Sequence, residues 1–191
     1  METEYFLIIS PDNATQEKLM DEKKRFAQLY NCPQILHSKP HISLVKFFNI
    51  RENETRIVQY LHRKIAVYQP FLVDLEGFSA FPTHTIFAKV QTKKQIVNIV
   101  KSIGQEKQKL KGAFDRDVHC ITEPHITLAR SLQHWQYEKG WQEWQHVHFS
   151  ARFDVREILL LKKDVLRPRF DVVASLPLLG QKNEMVQGAL F

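Results

Sequence analysis

The chain has 191 residues, of which 43% are hydrophobic and 25% charged, with a formal net charge of +6 and a pI near 9.3. This is the composition of an ordinary globular protein, long enough to bury a core without disulfide staples. Its two cysteines, Cys32 and Cys120, form no C-x-x-C pair, which argues against a disulfide framework and a cysteine-based zinc site. The basic excess is compatible with a polyanionic substrate, although charge alone is read more simply as a basic soluble protein.

The opening METEYFLIIS carries Glu2 and Glu4 where a signal peptide would carry positive charge, and no segment approaches the length of a membrane span. A cytoplasmic location without membrane contact is therefore expected. Residues 5–9 read as a buried strand, broken by Pro11-Asp12-Asn13. Asn13 is the expected helix cap, with Gln16 three residues on, and Leu19, Lys23, Phe26 and Leu29 follow at helical spacing. Residues 41–48 are β-like. Ile57, Leu61, Ile65 and Tyr68 predict a second helix. PFLVDLEGFSAF and HTIFAKV form a strand pair joined at Pro82-Thr83, and Ile96, Ile99, Val100, Ile103 and Leu110 predict a third helix. Residues 125–130 are again β-like, and a weaker helix over 132–145 is expected to be interrupted by Gly140, with Trp135, Trp141 and Trp144 on one face. RFDVREILLL reads as one strand that alternates and then turns continuously apolar, and a last strand covers Phe170–Ala174. Strands and helices mix without a strict βαβ alternation, so the fold class is α+β, with helices against largely antiparallel sheets.

Two segments of the chain repeat each other. KPHISLVKF (39–47) and EPHITLAR (123–130) each run Pro, His, Ile, a hydroxyl residue, Leu, with a basic residue five positions after the histidine, Lys46 or Arg130. On a strand, residues i and i+2 share a face. His41 therefore stands with Ser43 and His125 with Thr127, while Ile42, Leu44, Ile126 and Leu128 face the core. Two such strands side by side give two imidazoles and two hydroxyls around one cavity. That set suits a phosphodiester: one imidazole takes a proton from the attacking water, the other gives one to the leaving alkoxide, and the hydroxyls donate to the non-bridging oxygens. No metal or other cofactor is required. A single H-x-[ST] would more often be a partly buried histidine with a local hydrogen bond; two matched copies are far more specific.

On these motifs the sequence resembles the two-histidine (2H) phosphoesterase superfamily, in its 2′-5′ RNA ligase-like or RNA 2′,3′-cyclic phosphodiesterase branch. The hallmark is a pair of H-x-[ST]-x motifs, here His41-Ile42-Ser43-Leu44 and His125-Ile126-Thr127-Leu128. The likeness takes in the opening strand, the GFSAFP turn and the strand ending LLLKKD, and leaves out the tail after about residue 177. It implies a two-lobed, pseudo-symmetric fold of antiparallel sheets flanked by helices, with both motifs in a central cleft. Residues 1–179 would form this one domain of two intertwined lobes, and 180–191 a tail. It also implies metal-free hydrolysis of a 2′,3′-cyclic phosphate on RNA ends or small nucleotides. The alternatives are a 2′-5′ phosphodiesterase or ligase on oligonucleotides, or a nucleotide-binding module without catalysis.

Further candidates are weaker. Arg130 and Lys46 are on the wrong parity for the cleft if their strands are regular, though a bulge would turn them toward a phosphate. Phe47, Phe48 and Phe81 could stack on a base, with core packing the plainer reading, and His84 could edge the cleft, with a surface position at a strand start the plainer reading. His146 and His148 alternate around Val147 but lack a third ligand at metal spacing. Arg152, Arg156, Lys162, Lys163, Arg167 and Arg169 could track RNA, or form a solvated sheet edge. The chain ends QGALF, which resembles the Gln-x-x-Leu-Phe peptides that bacterial replication and repair proteins insert into the sliding clamp; Gln187, Leu190 and Phe191 would make that contact. A monomer is expected.

Overall fold

A computed structural model describes residues 2–113, 116–164 and 169–181. The tail motif Gln187, Leu190 and Phe191, and Arg167, lie outside the described residues.

The chain begins with β1 (Glu2–Ile9), whose alternate residues Tyr5, Leu7 and Ile9 are fully buried. The first helix, α1 (Asn13–Leu29), is capped one residue earlier than expected: the Asp12 carboxylate accepts from the Thr15 amide at 2.8 Å, because the cap residue must sit in extended backbone and Asp12 does. Leu19 and Phe26 are in the core, whereas Leu29 faces solvent. After β2 (Ile42–Ile50) comes α2 (Glu54–Ala66), burying Ile57, Leu61 and Ile65. β3 (Phe71–Phe81) and β4 (Thr85–Val90) form the expected hairpin, and α3 (Lys93–Gln105) buries Ile96, Ile99, Val100 and Ile103.

Short β5 (His119–Cys120) precedes β6 (His125–Ala129) and α4 (His134–Trp144). Gly140 does not interrupt α4: it is the point where the helix approaches the Phe26 ring, with no room for a methyl group. Of the three tryptophans only Trp144 is fully buried, while Trp135 is largely exposed, since the two lie half a helical turn apart in angle. The RFDVREILLL run is two strands, β7 (Ser150–Val155) and β8 (Glu157–Asp164), parted at Arg156. They pair with opposite halves of the molecule, β7 with β3 and β8 with β1. The last strand, β9 (Asp171–Pro177), pairs with β8, and the chain after it bonds back to the end of α2, with Leu179 N–H donating to the Ala66 carbonyl at 3.2 Å.

The sheet runs β7-β3-β4-β6-β2-β1-β8-β9, all antiparallel, with β5 also on β2. Its order is symmetric about the β6–β2 seam: β4 answers to β1, β3 to β8, β7 to β9. The repeating unit is β-α-β-α, once as β1-α1-β2-α2 and once as β4-α3-β6-α4. Each first helix crosses the seam, α1 packing on β6 and α3 on β2. β8 and β9, from the end of the chain, extend the sheet beside β1 of the first half. The fold is α+β, a curled antiparallel sheet flanked by four helices.

Candidate active site

The two histidine motifs meet at the seam. β2 and β6 are joined in register at Ile42 and Ile126, both fully buried. Extending that antiparallel register by one residue sets His41 across from Thr127 and Ser43 across from His125. The imidazoles are thus diagonal neighbours, a relation that separates backbones by about 7–8 Å in a regular ladder. Each ring is held in the same way. His41 Nδ1 lies 2.8 Å from the Lys39 carbonyl, and His125 Nδ1 lies 2.8 Å from the Glu123 carbonyl. A carbonyl can only accept, so Nδ1 carries the hydrogen in both rings and Nε2 is the reactive nitrogen in both. Neither Nε2 has a hydrogen-bond partner among the described residues.

Aromatic rings brace the imidazoles from the neighbouring strands. Phe6 of β1 meets His41 edge-on at 5.5 Å between centroids; Phe87 of β4 and Phe81 of β3 pack on His125 at 4.9 and 5.1 Å. Phe6 and Phe87 occupy matching strands of the two halves. Sequence reading missed both, because each sits in an apolar run whose face is fixed only by strand pairing.

The same irregularity follows each motif. Opposite Leu7–Ile8 of β1, strand β2 spends one extra residue, Leu44; opposite Ile86–Phe87 of β4, strand β6 spends Leu128. An extra residue reverses the alternation beyond it. Leu44 and Val45 are both buried, as are Leu128 and Ala129. Lys46 and Arg130 are thereby brought onto the face of the histidines, the reverse of what a regular strand gives. Their situations differ. Lys46 Nζ is bound to Glu4 at 2.7 Å, whereas Arg130 makes no ion pair among the described residues and its charge reaches His41.

Behind His41 lies a buried cation. Lys23 of α1 is 1% exposed, and its ammonium donates to the Ser38 carbonyl at 2.6 Å and to Ser38 Oγ at 3.1 Å, with no carboxylate partner among the described residues. Burial, helped by Arg130, pushes its pKa down to about 8. The signal in the sequence was a lysine inside an apolar helical stripe. Burial likewise holds His41 below the ordinary imidazole value; its bond to the Lys39 carbonyl opposes this, and the charges of Lys23, Arg130 and His125 add to it. His41 is thus neutral at neutral pH and able to take a proton.

Phe47 stacks on Tyr5 in the core, while Phe48 is half-buried under Arg116, whose guanidinium sits 4.4 Å over its ring. His84 lies in the β3–β4 turn with Nδ1 2.7 Å from Thr85 Oγ1. His146 and His148 fall in the turn between α4 and β7, and among the described residues no group of three or more His, Cys, Asp or Glu could hold a metal ion. The late basic residues do not form one stripe: Arg152 pairs with Asp74, Arg156 with Asp154, Lys162 with Glu54 and Lys163 with Glu4.

Two imidazoles on a symmetric seam, each with a hydroxyl two residues on, agree with what comparison of the sequence finds. The model of the 2′-5′ RNA ligase superfamily matches residues 11–166. The chain belongs to this superfamily of 2H phosphoesterases. It is 26% identical over 133 residues to a phosphoesterase-like protein of Oceanobacillus iheyensis, covering 68% of this chain and 72% of the relative. Among solved structures, TT0787 of Thermus thermophilus superposes with a TM-score of 0.62 at 18% identity, covering 94% of this chain and 100% of the other. E. coli LigT complexed with 3′-AMP gives 0.63 at 13%, covering 93% and 99%. These structures share the superfamily fold. No helix among the described residues is long and apolar enough to cross a membrane.

Proposed function

We propose that this member of the superfamily hydrolyses a 2′,3′-cyclic phosphate on an RNA end or small nucleotide, by general acid–base catalysis without a metal ion. The observation that carries the reading is the matched pair of imidazoles, each with Nδ1 tied to a backbone carbonyl and Nε2 left for chemistry. His41, kept neutral, takes a proton from water as its oxygen attacks phosphorus. His125 donates a proton from Nε2 to the ribose oxygen as the P–O bond breaks, so the products are a phosphomonoester and a free neighbouring hydroxyl. Proton exchange with solvent resets both rings. Ser43 and Thr127 donate to the non-bridging oxygens, where preorganised donors count most. Arg130 supplies the positive charge beside them, and His84 edges the cleft. Support for a nucleotide in the cleft comes from LigT, solved with 3′-AMP, ATP and NADP+.

The test is incubation with a panel of 2′,3′-cyclic nucleotides, cyclic-ended RNA and 2′-5′ oligonucleotides, with products resolved by regiochemistry. Opening of the cyclic phosphates is expected. Turnover of the 2′-5′ linkage alone, which the superfamily's name makes the second reading, would overturn it.

A further inference from the structure

The His41 side of the cleft runs on into a surface that acid–base chemistry does not use. Phe6, braced on His41, lies 5.8 Å from Phe170, the residue before β9. Phe170 is 36% exposed and Val172, next on the edge strand, is 63% exposed. Lys163 of β8 holds its ammonium 5.2 Å over the Phe170 ring. On the other flank Phe48 of β2 carries Arg116 at 4.4 Å and Lys46 at 5.7 Å. Glu4 lies between these flanks, 2.7 Å from Lys46 and 3.5 Å from Lys163. The register makes this one face: Phe6 pairs with Lys46, and Glu4 with both Phe48 and Lys163. Arg116 is itself met by Glu2 at 3.3 Å, so the three cations outnumber the two carboxylates by one.

We propose that this face of β1, β2, β8 and β9 binds the single-stranded RNA adjoining the reacting phosphate, so that the preferred substrate is an RNA end and not a free mononucleotide. The proposal rests on the phosphoesterase reading only for which phosphate reacts. Partly exposed rings on a rigid sheet offer π-faces for unpaired bases once the cation over each outer ring swings onto the passing backbone phosphates. Every base has a π-face, so such a surface is tolerant of sequence. A duplex keeps its base faces stacked and could not use the rings. An acidic peptide would answer the cations but leave the aromatic floor and Val172 in water. The Glu4 carboxylate holds Lys46 and Lys163 in place until phosphates compete for them.

The experiment is fluorescence anisotropy with the full chain and a labelled RNA octamer ending in a 3′-phosphate, competed against a nucleoside 3′-monophosphate. The octamer is expected to bind at least about tenfold more tightly. Phe170→Ala should weaken it on the order of tenfold, the loss of one stacked base. Lys163→Gln should reduce the slope of log affinity against log salt by about 0.7. Both side chains are partly exposed, and thermal melting checks that the variants fold. Equal affinity for octamer and mononucleotide, or unchanged octamer binding in both variants, overturns the proposal. Turnover of a cyclic mononucleotide, measured separately, keeps the two readings apart. A protein that opens it but binds the octamer no better loses this surface and keeps its chemistry. One that binds the octamer through Phe170 and Lys163 yet opens no cyclic phosphate keeps the surface and loses the chemistry.

Discussion

At the scale of the residue, the proposed reaction turns on two imidazoles, of which burial holds His41 below the ordinary value. His41→Ala and His125→Ala should each lower kcat by at least about 100-fold, the low end for a lost general acid or base. The double variant should be much less damaged than the product of the two, because the residues act as a unit; near-normal turnover in either single variant would remove that histidine from the mechanism. The pH dependence follows from the depressed pKa of His41. A base must be neutral, so activity falls as His41 gains a proton, and kcat/KM should lose its acid limb below the ordinary value of 6.5. Lys23→Met removes one of the charges that depress His41, and the limb should move to higher pH; a limb that stays put would separate Lys23 from the site. Lys23 also leaves a mark on stability. Its folded pKa of about 8 lies below the ordinary 10.5, so between these values the unfolded chain holds the proton that the folded chain has released. Stability of the wild type relative to Lys23→Met should therefore rise from pH 8 to pH 10.5, read as the difference in urea unfolding free energy.

At the scale of the element, the helices show what close approach costs. Alanine is normally the better helix former than glycine by roughly 0.5–1 kcal/mol. At Gly140 of α4, though, a Cβ would stand 2.6 Å from the Phe26 ring. That ring is fully buried and wedged between Tyr30 and Trp144, at 4.6 and 4.8 Å, and has nowhere to go. Gly140→Ala should thus destabilise the protein by about 1–2 kcal/mol, the overpacking penalty less the gain in propensity, as measured by chemical denaturation; a stabilised variant would mean that α4 shifts freely. This glycine was legible as an oddity but was misread as a break, since its reason is a residue 114 positions earlier. The strands tell a similar story. The H-x-[ST] pairs were legible because period-two alternation fixes their shared face. The extra residues Leu44 and Leu128 were not, because a bulge flanked by Val45 and Ala129 looks like continuous apolar strand. The division of RFDVREILLL at Arg156 was hidden in the same way, as only pairing partners reveal that β7 and β8 belong to different halves.

At the scale of the whole molecule, the internal repeat explains why a site of this kind needs so few parts. Two copies of β-α-β-α, joined along β2–β6, bring the two motifs together across the seam, each histidine opposite the other motif's hydroxyl residue, and each copy's first helix crosses to brace the other. In the proposed reaction, one imidazole and one hydroxyl per copy become an acid, a base and two donors by juxtaposition alone. The asymmetry between the two halves comes from residues within the first copy: Lys23 of α1 is buried and its charge reaches His41, and Glu4 of β1 binds Lys46 while Arg130 makes no ion pair among the described residues. With both proton transfers assigned to the rings in the proposed reaction, an added metal ion has no step left to perform. Turnover of a 2′,3′-cyclic nucleotide after exhaustive EDTA treatment and desalting should accordingly stay within about twofold of the untreated rate, well inside the 100-fold or larger effect of losing one acid–base group. Added Zn²⁺ or Mn²⁺ should give no recovery above that level. Loss of activity with the chelator and its return with either ion would instead make the histidines metal ligands, and the Nδ1 bonds to Lys39 and Glu123 would then be the supports that aim Nε2 at the ion.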